Sequence, residues 1–532
     1  MKLKNTFILL IAGTLYSYSI PKGIAPSLLL STLSFLCSLV GMLLYFFIIQ
    51  QNKDIRTNII SYLFFSIPLS LVGMNWMSFT IKEYGFIGFP FNYFLNTLYS
   101  PFVVPQLLLM TLLFFYAQQK KKLLLHPSLL AFFFVLFEEF TPTLWPFHQG
   151  HFFLNLSSNP PFASFLGSTG YSFISYFVIL TFIIPSSKKL KSLGLFLLCS
   201  SIFLPLSQKK YSPKDLKEIN IRLVQGNVGN YLKINSEKGD SLSLHQVIKR
   251  HEILSQDKSD NIHLLIWPET AYPYTIHSQE LRRHKTSLTG KILQNIAIEN
   301  NLFFLTGGYD YIENKNSSST PGFEDIYNSA FYFDSKGEFQ DVYHKHLLLP
   351  FGETLPFGPL NFYLSKIITN VSFFARGNSF QQFHLKEHQI SFAVSICYEI
   401  LFHRFVRHNL AHFEHQTDFL VNITNDSWFG DSREPYQHLF LAKWRAIEFN
   451  IPIVRSTNTG ISTIIKADGS MEKTSNLFKE EKMDYTLKVP FTREKTFYEK
   501  YDFLGTFILA IFLLLLEFFL RTILASRDRE DG

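Results

Sequence analysis

Eight apolar stretches constrain this chain more than any other feature: about 6 to 20, 27 to 50, 58 to 79, 99 to 118, 127 to 145, 165 to 185, 190 to 206 and 503 to 520. Runs of this length in Leu, Phe and Ile match roughly 30 Å of hydrocarbon. They can satisfy their backbone there only as helices. The first, fifth and seventh are short or interrupted by polar residues and proline, so they are the marginal members. The N-terminal run reads as a retained helix rather than a signal peptide, because no small-residue cleavage site precedes the next apolar run. The chain is therefore expected to be a polytopic α-helical membrane protein with about eight spans.

Short loops retain Lys and Arg on the cytoplasmic side, which gives an orientation. Lys2 and Lys4, Lys53 and Arg56, Lys120 to Lys122, Lys188, Lys189 and Lys191, then Arg521, Arg527 and Arg529 all fall on one side. The intervening short loops contribute only Lys22 and Lys82. Both termini are thus expected inside, with the segment between the seventh and eighth helices outside; in a bacterium, that is the periplasmic face of the inner membrane. Most of the formal charge of +7 belongs to these clusters. With no basic aromatic stripe, nothing suggests nucleic acid.

From Ile219 the pattern changes to short β-rich runs alternating with amphipathic stretches. Residues 221 to 225, 263 to 267, 302 to 306, 329 to 333, 391 to 396, 419 to 423 and 453 to 457 read as strands, and 244 to 256, 279 to 299 and 436 to 449 as helices. That is an α/β layered domain. The expected organisation is a membrane domain over 1 to 207, a catalytic domain over 215 to 490, a last helix over 502 to 522 and a cytoplasmic tail over 523 to 532.

Three strand ends carry chemistry. In Trp267-Pro268-Glu269 a carboxylate follows a buried strand at a proline-enforced break. Such a Glu can be a solvated turn residue, but a rigid, partly buried surround suits a general base. Lys345 closes a strand-like run ahead of Leu347-Leu348-Leu349-Pro350-Phe351-Gly352-Glu353. It is either a surface lysine or a fixed ammonium able to steady an oxyanion. Cys397 ends the alternating run Ile390 to Ile396 and precedes Tyr398-Glu399. Cys37 and Cys199 lie instead in apolar runs as packing residues. A lone thiol with a carboxylate and an amine available is a candidate nucleophile, and no histidine occupies an obvious triad position.

Trp267-Pro268-Glu269, Lys345 and Cys397-Tyr398-Glu399, in that order, resemble the Glu-Lys-Cys triad of the nitrilase, or carbon-nitrogen hydrolase, superfamily. The runs Leu223-Val224-Gln225-Gly226-Asn227, Pro350-Phe351-Gly352-Glu353, Asn425-Asp426-Ser427-Trp428-Phe429-Gly430 and Arg455 to Ser462 are similar to motifs of apolipoprotein N-acyltransferases. That resemblance implies an extracytoplasmic nitrilase-like αββα sandwich between seven helices and one. It also implies a ping-pong acyl transfer from a phospholipid, through a Cys397 thioester, to the α-amino group of a diacylglyceryl-modified N-terminal cysteine on an apolipoprotein. Glu269 would serve as base and then acid, Lys345 as oxyanion partner and Glu353 as a supporting carboxylate. Tyr398, Glu399, Trp428 and Phe429 would line the site, although Glu399 could equally anchor the turn and the two aromatics could simply form a packed corner. The expected partners are these lipids and the membrane, with no cofactor, no metal and a monomeric chain.

Two departures from the family pattern stand out. The tryptophan-aspartate pair often found near Lys233-Ile234 is absent, and the fifth helix ends Leu144-Trp145-Pro146-Phe147. Glu138 and Glu139 near the outer end of that helix are either a functional polar contact or an interfacial pair. Trp76 and Trp145 read first as interfacial anchors, with substrate-channel contact as the other reading. The histidines at 403, 408, 412 and 415 read as a surface cluster, and Arg445 with Glu448 as a salt bridge. The alternative activity is that of a membrane-anchored nitrilase-type amidase acting on a small substrate with water as acceptor. A transporter with an accessory domain and a silent lipoprotein-binding protein are weaker alternatives.

Overall fold

The computed structural model describes residues 2–23, 27–120, 125–157, 159–204, 215–256, 261–285, 289–313, 326–367 and 371–530, with side chains omitted at 120 and from 523 onward. Lys121, Lys122 and the expected boundary near 207 lie outside the described residues. The chain groups into two compact units, 1–208 with 432–450 and 495–532, and 209–431 with 451–494.

The first unit is helical. Leu28–Gln51, Ile55–Gly73, Ala163–Ile183 and Leu504–Thr522 are long and apolar enough to cross a membrane, and Phe91–Phe102 with Pro105–Gln119 forms a further pair bent by 45°. The helices at the three marginal runs are shorter: Leu3–Ser19, Pro127–Phe140 and Lys188–Phe203. The stretch expected over 58 to 79 ends earlier, because Pro68 leads into the π-turn Leu69–Gly73 and a separate helix, Trp76–Gly85, comes next. Close helix packing has a sequence cause at Gly13, where a Cβ would lie 2.2 Å from the Phe65 carbonyl oxygen.

A helix from the middle of the β-rich sequence, Glu434–Phe449, belongs to this helical unit. It is buried almost all round, as a helix inside a helical core must be. Trp444 Nε1 donates to His151 O at 2.9 Å and Gln437 Nε2 to Gly73 O at 2.8 Å. Gly167, at φ +62°, breaks the helix Ala163–Ile183. Glu448 accepts from Ser168 N at 2.8 Å just after the break, where a carboxylate suits the restarted helix. Arg445 pairs with Glu448 at 2.9 Å, both fully buried. Trp76 and Trp145 are not exposed anchors: they are buried, with ring centroids 5.3 Å apart, and Trp76 Nε1 donates to Gln437 Oε1 at 3.1 Å. Glu138 is buried too, accepting from Gln149 N at 2.8 Å and Tyr176 OH at 2.6 Å.

The second unit contains thirteen strands among the described residues: β1 Leu216–Gln225, β2 Leu264–Ile266, β3 Thr275–Ile276, β4 Phe303–Tyr311, β5 Ile326–Phe333, β6 Phe339–His344, β7 Gln382–Leu385, β8 Ile390–Ile396, β9 Phe419–Thr424, β10 Ile453–Thr457, β11 Thr463–Ile465, β12 Met471–Glu472 and β13 Glu481–Pro490. One sheet runs β13-β1-β2-β4-β5-β6, with β3 beside β4, and the other runs β12-β11-β10-β9-β8-β7. Alternation in β5 separates two layers: Phe331 and Phe333 join Val224, Leu265 and Trp267 in a core with Ile248, Leu281 and Leu293 from helices. Tyr332 points the other way, packing edge-on against Phe392 of β8 at 5.5 Å. The two sheets therefore face each other. The helix expected over 279 to 299 is two, Ser278–His284 and Lys291–Asn300, the first ending at Lys285 with φ +57°.

Parallel pairing places the chemistry. β1, β2 and β4 are parallel neighbours, and two antiparallel steps through β5 give β6 the same direction. β8, β9 and β10 are likewise parallel. The residues after β2 and β6 thus leave one end of the first sheet, and those after β8 and β9 one end of the second. Ligand sites in such sheets sit beyond the carboxyl ends of the strands.

Candidate active site

Glu269, Lys345 and Glu353 form one buried ionic cluster. Lys345 Nζ lies 3.1 Å from Glu269 Oε1 and 2.9 Å from Glu353 Oε1. Asn328, near the start of β5, donates from Nδ2 to both, at 2.7 Å to Glu269 and 2.8 Å to Glu353. The backbone N–H of Asn425, just past β9, donates to Glu269 Oε2 at 2.7 Å, and that of Leu349 to Glu353 Oε2 at 2.8 Å. Lys345 is 1% exposed, and burial opposes its charge. Glu269, Glu353 and Cys397 more than offset that cost and hold its pKa well above the ordinary lysine value.

Glu269 is fixed by its own chain as well as by its partners. Trp267 is fully buried, with Nε1 donating to Ser255 Oγ at 2.7 Å. Across from the turn, Gly307 of β4 admits the close approach, since a Cβ there would lie 2.6 Å from Glu269 Cα. Thr270, the next residue, has φ +50°, a left-handed conformation costly for a β-branched side chain.

Cys397 adopts φ +50° at the head of the tight turn Cys397–Leu401 that succeeds β8. Left-handed non-glycine residues of this kind concentrate at functional sites. The thiol is buried. Burial pushes its pKa well up, Glu269 adds to that, Lys345 pulls back, Asp426 raises it again and a bond with Thr424 lowers it. That balance favours the thiol over the thiolate. Beneath it, Arg455 Nη2 donates to Asp426 Oδ2 at 2.9 Å, and Thr424 Oγ1 donates to Asp426 Oδ1 at 3.1 Å.

Glu399 takes the other of its two readings: it braces the turn. Its carboxylate accepts from Ile396 N at 2.8 Å, Tyr343 OH at 2.8 Å, His346 N at 2.6 Å and Leu347 N at 3.2 Å, tying the turn after Cys397 to the segment after Lys345. Tyr398 is buried edge-on against Phe402 at 4.9 Å. Trp428 is partly buried and Phe429 buried in the turn Asp426–Phe429, which begins beside the Asn425 N–H bound to Glu269. Of the four histidines, 408, 412 and 415 are exposed, whereas His403 is buried at the start of its helix.

Sequence reasoning missed Asn328 and the Asn425 amide. Asn328 carries one signal, a polar residue two positions before the apolar run 330 to 333; a backbone donor carries none.

A buried thiol, a carboxylate and a lysine bridging two acids, on strand ends of paired sheets, match the arrangement expected of the carbon-nitrogen hydrolase family. The profile of that family matches residues 221–494, just over half the chain, and the chain belongs to it. Two curated relatives align over most of the chain. It is 28% identical over 473 residues to the apolipoprotein N-acyltransferase of Bdellovibrio bacteriovorus, covering 84% of this chain and 82% of that protein. It is 26% identical over 510 residues to the apolipoprotein N-acyltransferase of Haemophilus influenzae, covering 90% and 89%. Among solved structures, an amidase from Nesterenkonia sp. matches with a TM-score of 0.33 at 16% identity, covering 54% of this chain and 93% of that one.

Proposed function

We propose that this chain is an N-acyltransferase that moves an acyl chain from a phospholipid, through a thioester on Cys397, to the α-amino group of the N-terminal diacylglyceryl-cysteine of apolipoproteins. The observation that carries the reading is the buried Cys397 thiol within electrostatic reach of the Glu269–Lys345 pair. Similarity to apolipoprotein N-acyltransferases over most of the chain supports it.

Glu269 takes the thiol proton as sulfur bonds to the ester carbonyl carbon. Lys345 has three donors, two of them directed to Glu269 and Glu353, and the third faces the oxyanion. Collapse breaks the ester C–O bond, and Glu269 returns the proton to the departing lysophospholipid hydroxyl. The incoming amine then attacks the thioester, passing a proton to Glu269, and the thiolate leaves and is reprotonated. Glu353 holds Lys345 in register, and Tyr398, Trp428 and Phe429 shape the pocket wall.

Eight spans, cytoplasmic termini and a periplasmic αββα catalytic domain over 215 to 490 at the inner membrane complete the proposal, with a monomeric chain. A site carried by membrane helices spares long acyl chains a transfer into water that costs about 0.8 kcal/mol per CH₂.

The test is intact-mass analysis of purified protein incubated with labelled phospholipid. Wild type gains one acyl chain, Cys397→Ala gains none, and a diacylated lipopeptide discharges the adduct. An adduct on the alanine variant removes Cys397 from the mechanism, and discharge to water alone favours a hydrolase over an acyltransferase.

A further inference from the structure

Lys233 stands out among the described lysines of the sheet unit because it is buried without belonging to the Glu269–Lys345–Glu353 cluster. It sits on the helix Asn230–Glu237, which comes after β1, and is 8% exposed. Its Nζ lies 3.3 Å from the Thr270 carbonyl oxygen, bonds to Thr270 Oγ1 and lies 3.4 Å from Glu237 Oε1. Glu237 is itself held by the Tyr309 hydroxyl of β4 at 2.5 Å. An ammonium has three donors, and three acceptors meet it here. It is therefore a fixed point, not a free cation waiting for a ligand.

What it fixes is the residue after Glu269. Thr270 is β-branched and left-handed, a conformation the surroundings must impose. On one side Gly307 lets β4 lie against the Glu269 backbone. On the other, Lys233 grips both oxygen atoms of Thr270. A cavity lined by Lys233, Ser236, Glu237, His251, Glu269 and Thr270 adjoins this contact, so no packed side chain stands ready to replace it.

We propose that Lys233 is a positioning residue for the general base, acting through Thr270 to keep the Glu269 carboxylate aimed at the thiol. The proposal rests on the acyl-transfer reading and extends it. The bonds of Lys233 run to Thr270 and Glu237. Small displacements of a reacting group cost rate steeply, about a hundredfold for 1 Å.

The experiment monitors single-turnover acylation of Cys397 by labelled phospholipid in detergent, reading rate, amplitude and the phospholipid concentration at half-maximal rate. Lys233→Met lowers the rate about tenfold while amplitude and half-saturation stay those of wild type. Thr270→Val, which keeps the shape and loses the hydroxyl, lowers it about threefold. The double variant is no slower than Lys233→Met, because both changes break one linkage. A Lys233→Met rate within twofold of wild type, a loss confined to amplitude, or additive losses overturn the proposal. If Lys233→Met does not fold, Thr270→Val decides, a rate equal to wild type counting against the role. Absence of any adduct on wild type would instead defeat the acyltransferase reading itself.

Discussion

Glu269 and Glu399 are both buried in the sheet unit, and their surroundings make them opposites. Glu269 shares Lys345 with Glu353, receives Asn328 and one backbone N–H, and adjoins the Cys397 thiol. Glu399 accepts from three backbone N–H groups and a tyrosine hydroxyl, all of them neutral. Burial pushes the Glu399 pKa up to about 7 even though its hydrogen bonds pull the other way. A carboxylate saturated by the backbone braces a turn. One paired with a shared ammonium beside a protonated sulfur can trade protons.

Four substitutions test that contrast. Glu269→Gln keeps size and removes the base, so acyl-enzyme formation should fall by about 10⁴-fold or more with the fold intact by circular dichroism. Glu353→Gln leaves Lys345 with one carboxylate, and acylation should slow by about tenfold to a hundredfold; a rate equal to wild type would detach Glu353 from the site. Asn328→Ala removes a neutral bridge between two acids, with an expected loss of about tenfold in the same assay.

Glu399→Gln should change acylation least, by less than about threefold, and should appear in the pH dependence of thermal stability. A carboxyl whose folded pKa exceeds its ordinary 4.5 binds more protons folded than unfolded. Wild-type stability should therefore decline as pH rises from about 4.5 to about 7, by up to about 3 kcal/mol, and the glutamine variant should lose that slope. A variant that keeps the slope but loses activity would exchange the two roles.

The strand ends were legible because chemistry and strand-like patterning coincide there: Pro268-Glu269, Lys345 and Cys397 each follow a strand-like run. Their convergence was not legible from pattern alone, since it depends on which strands pair and in which direction. Only the family resemblance anticipated it. Asn328, the Asn425 amide and the Arg455–Asp426 pair escaped notice because their partners lie 25 to 156 residues away in sequence. Trp76 and Trp145 misled for a related reason: an aromatic near a helix end reads as interfacial until a helix such as Glu434–Phe449 covers it. Near Lys233-Ile234 the sequence offers only the absence of a tryptophan-aspartate pair, and the bond of Lys233 to Thr270 gives that position a meaning of its own.

The helix Glu434–Phe449 also bears on how the chain is made. The apolar helices before residue 204 leave the ribosome first, but their packed interior includes Trp444, Arg445 and Glu448. That interior cannot close until some 240 further residues have been synthesised, and the segment 495–532 comes later still. N-terminal domains ordinarily fold before the rest of the chain has emerged. Here the earliest part of the chain must wait for its last third. A premature stop anywhere before residue 434 leaves helices without their keystone, a ready substrate for membrane proteolysis.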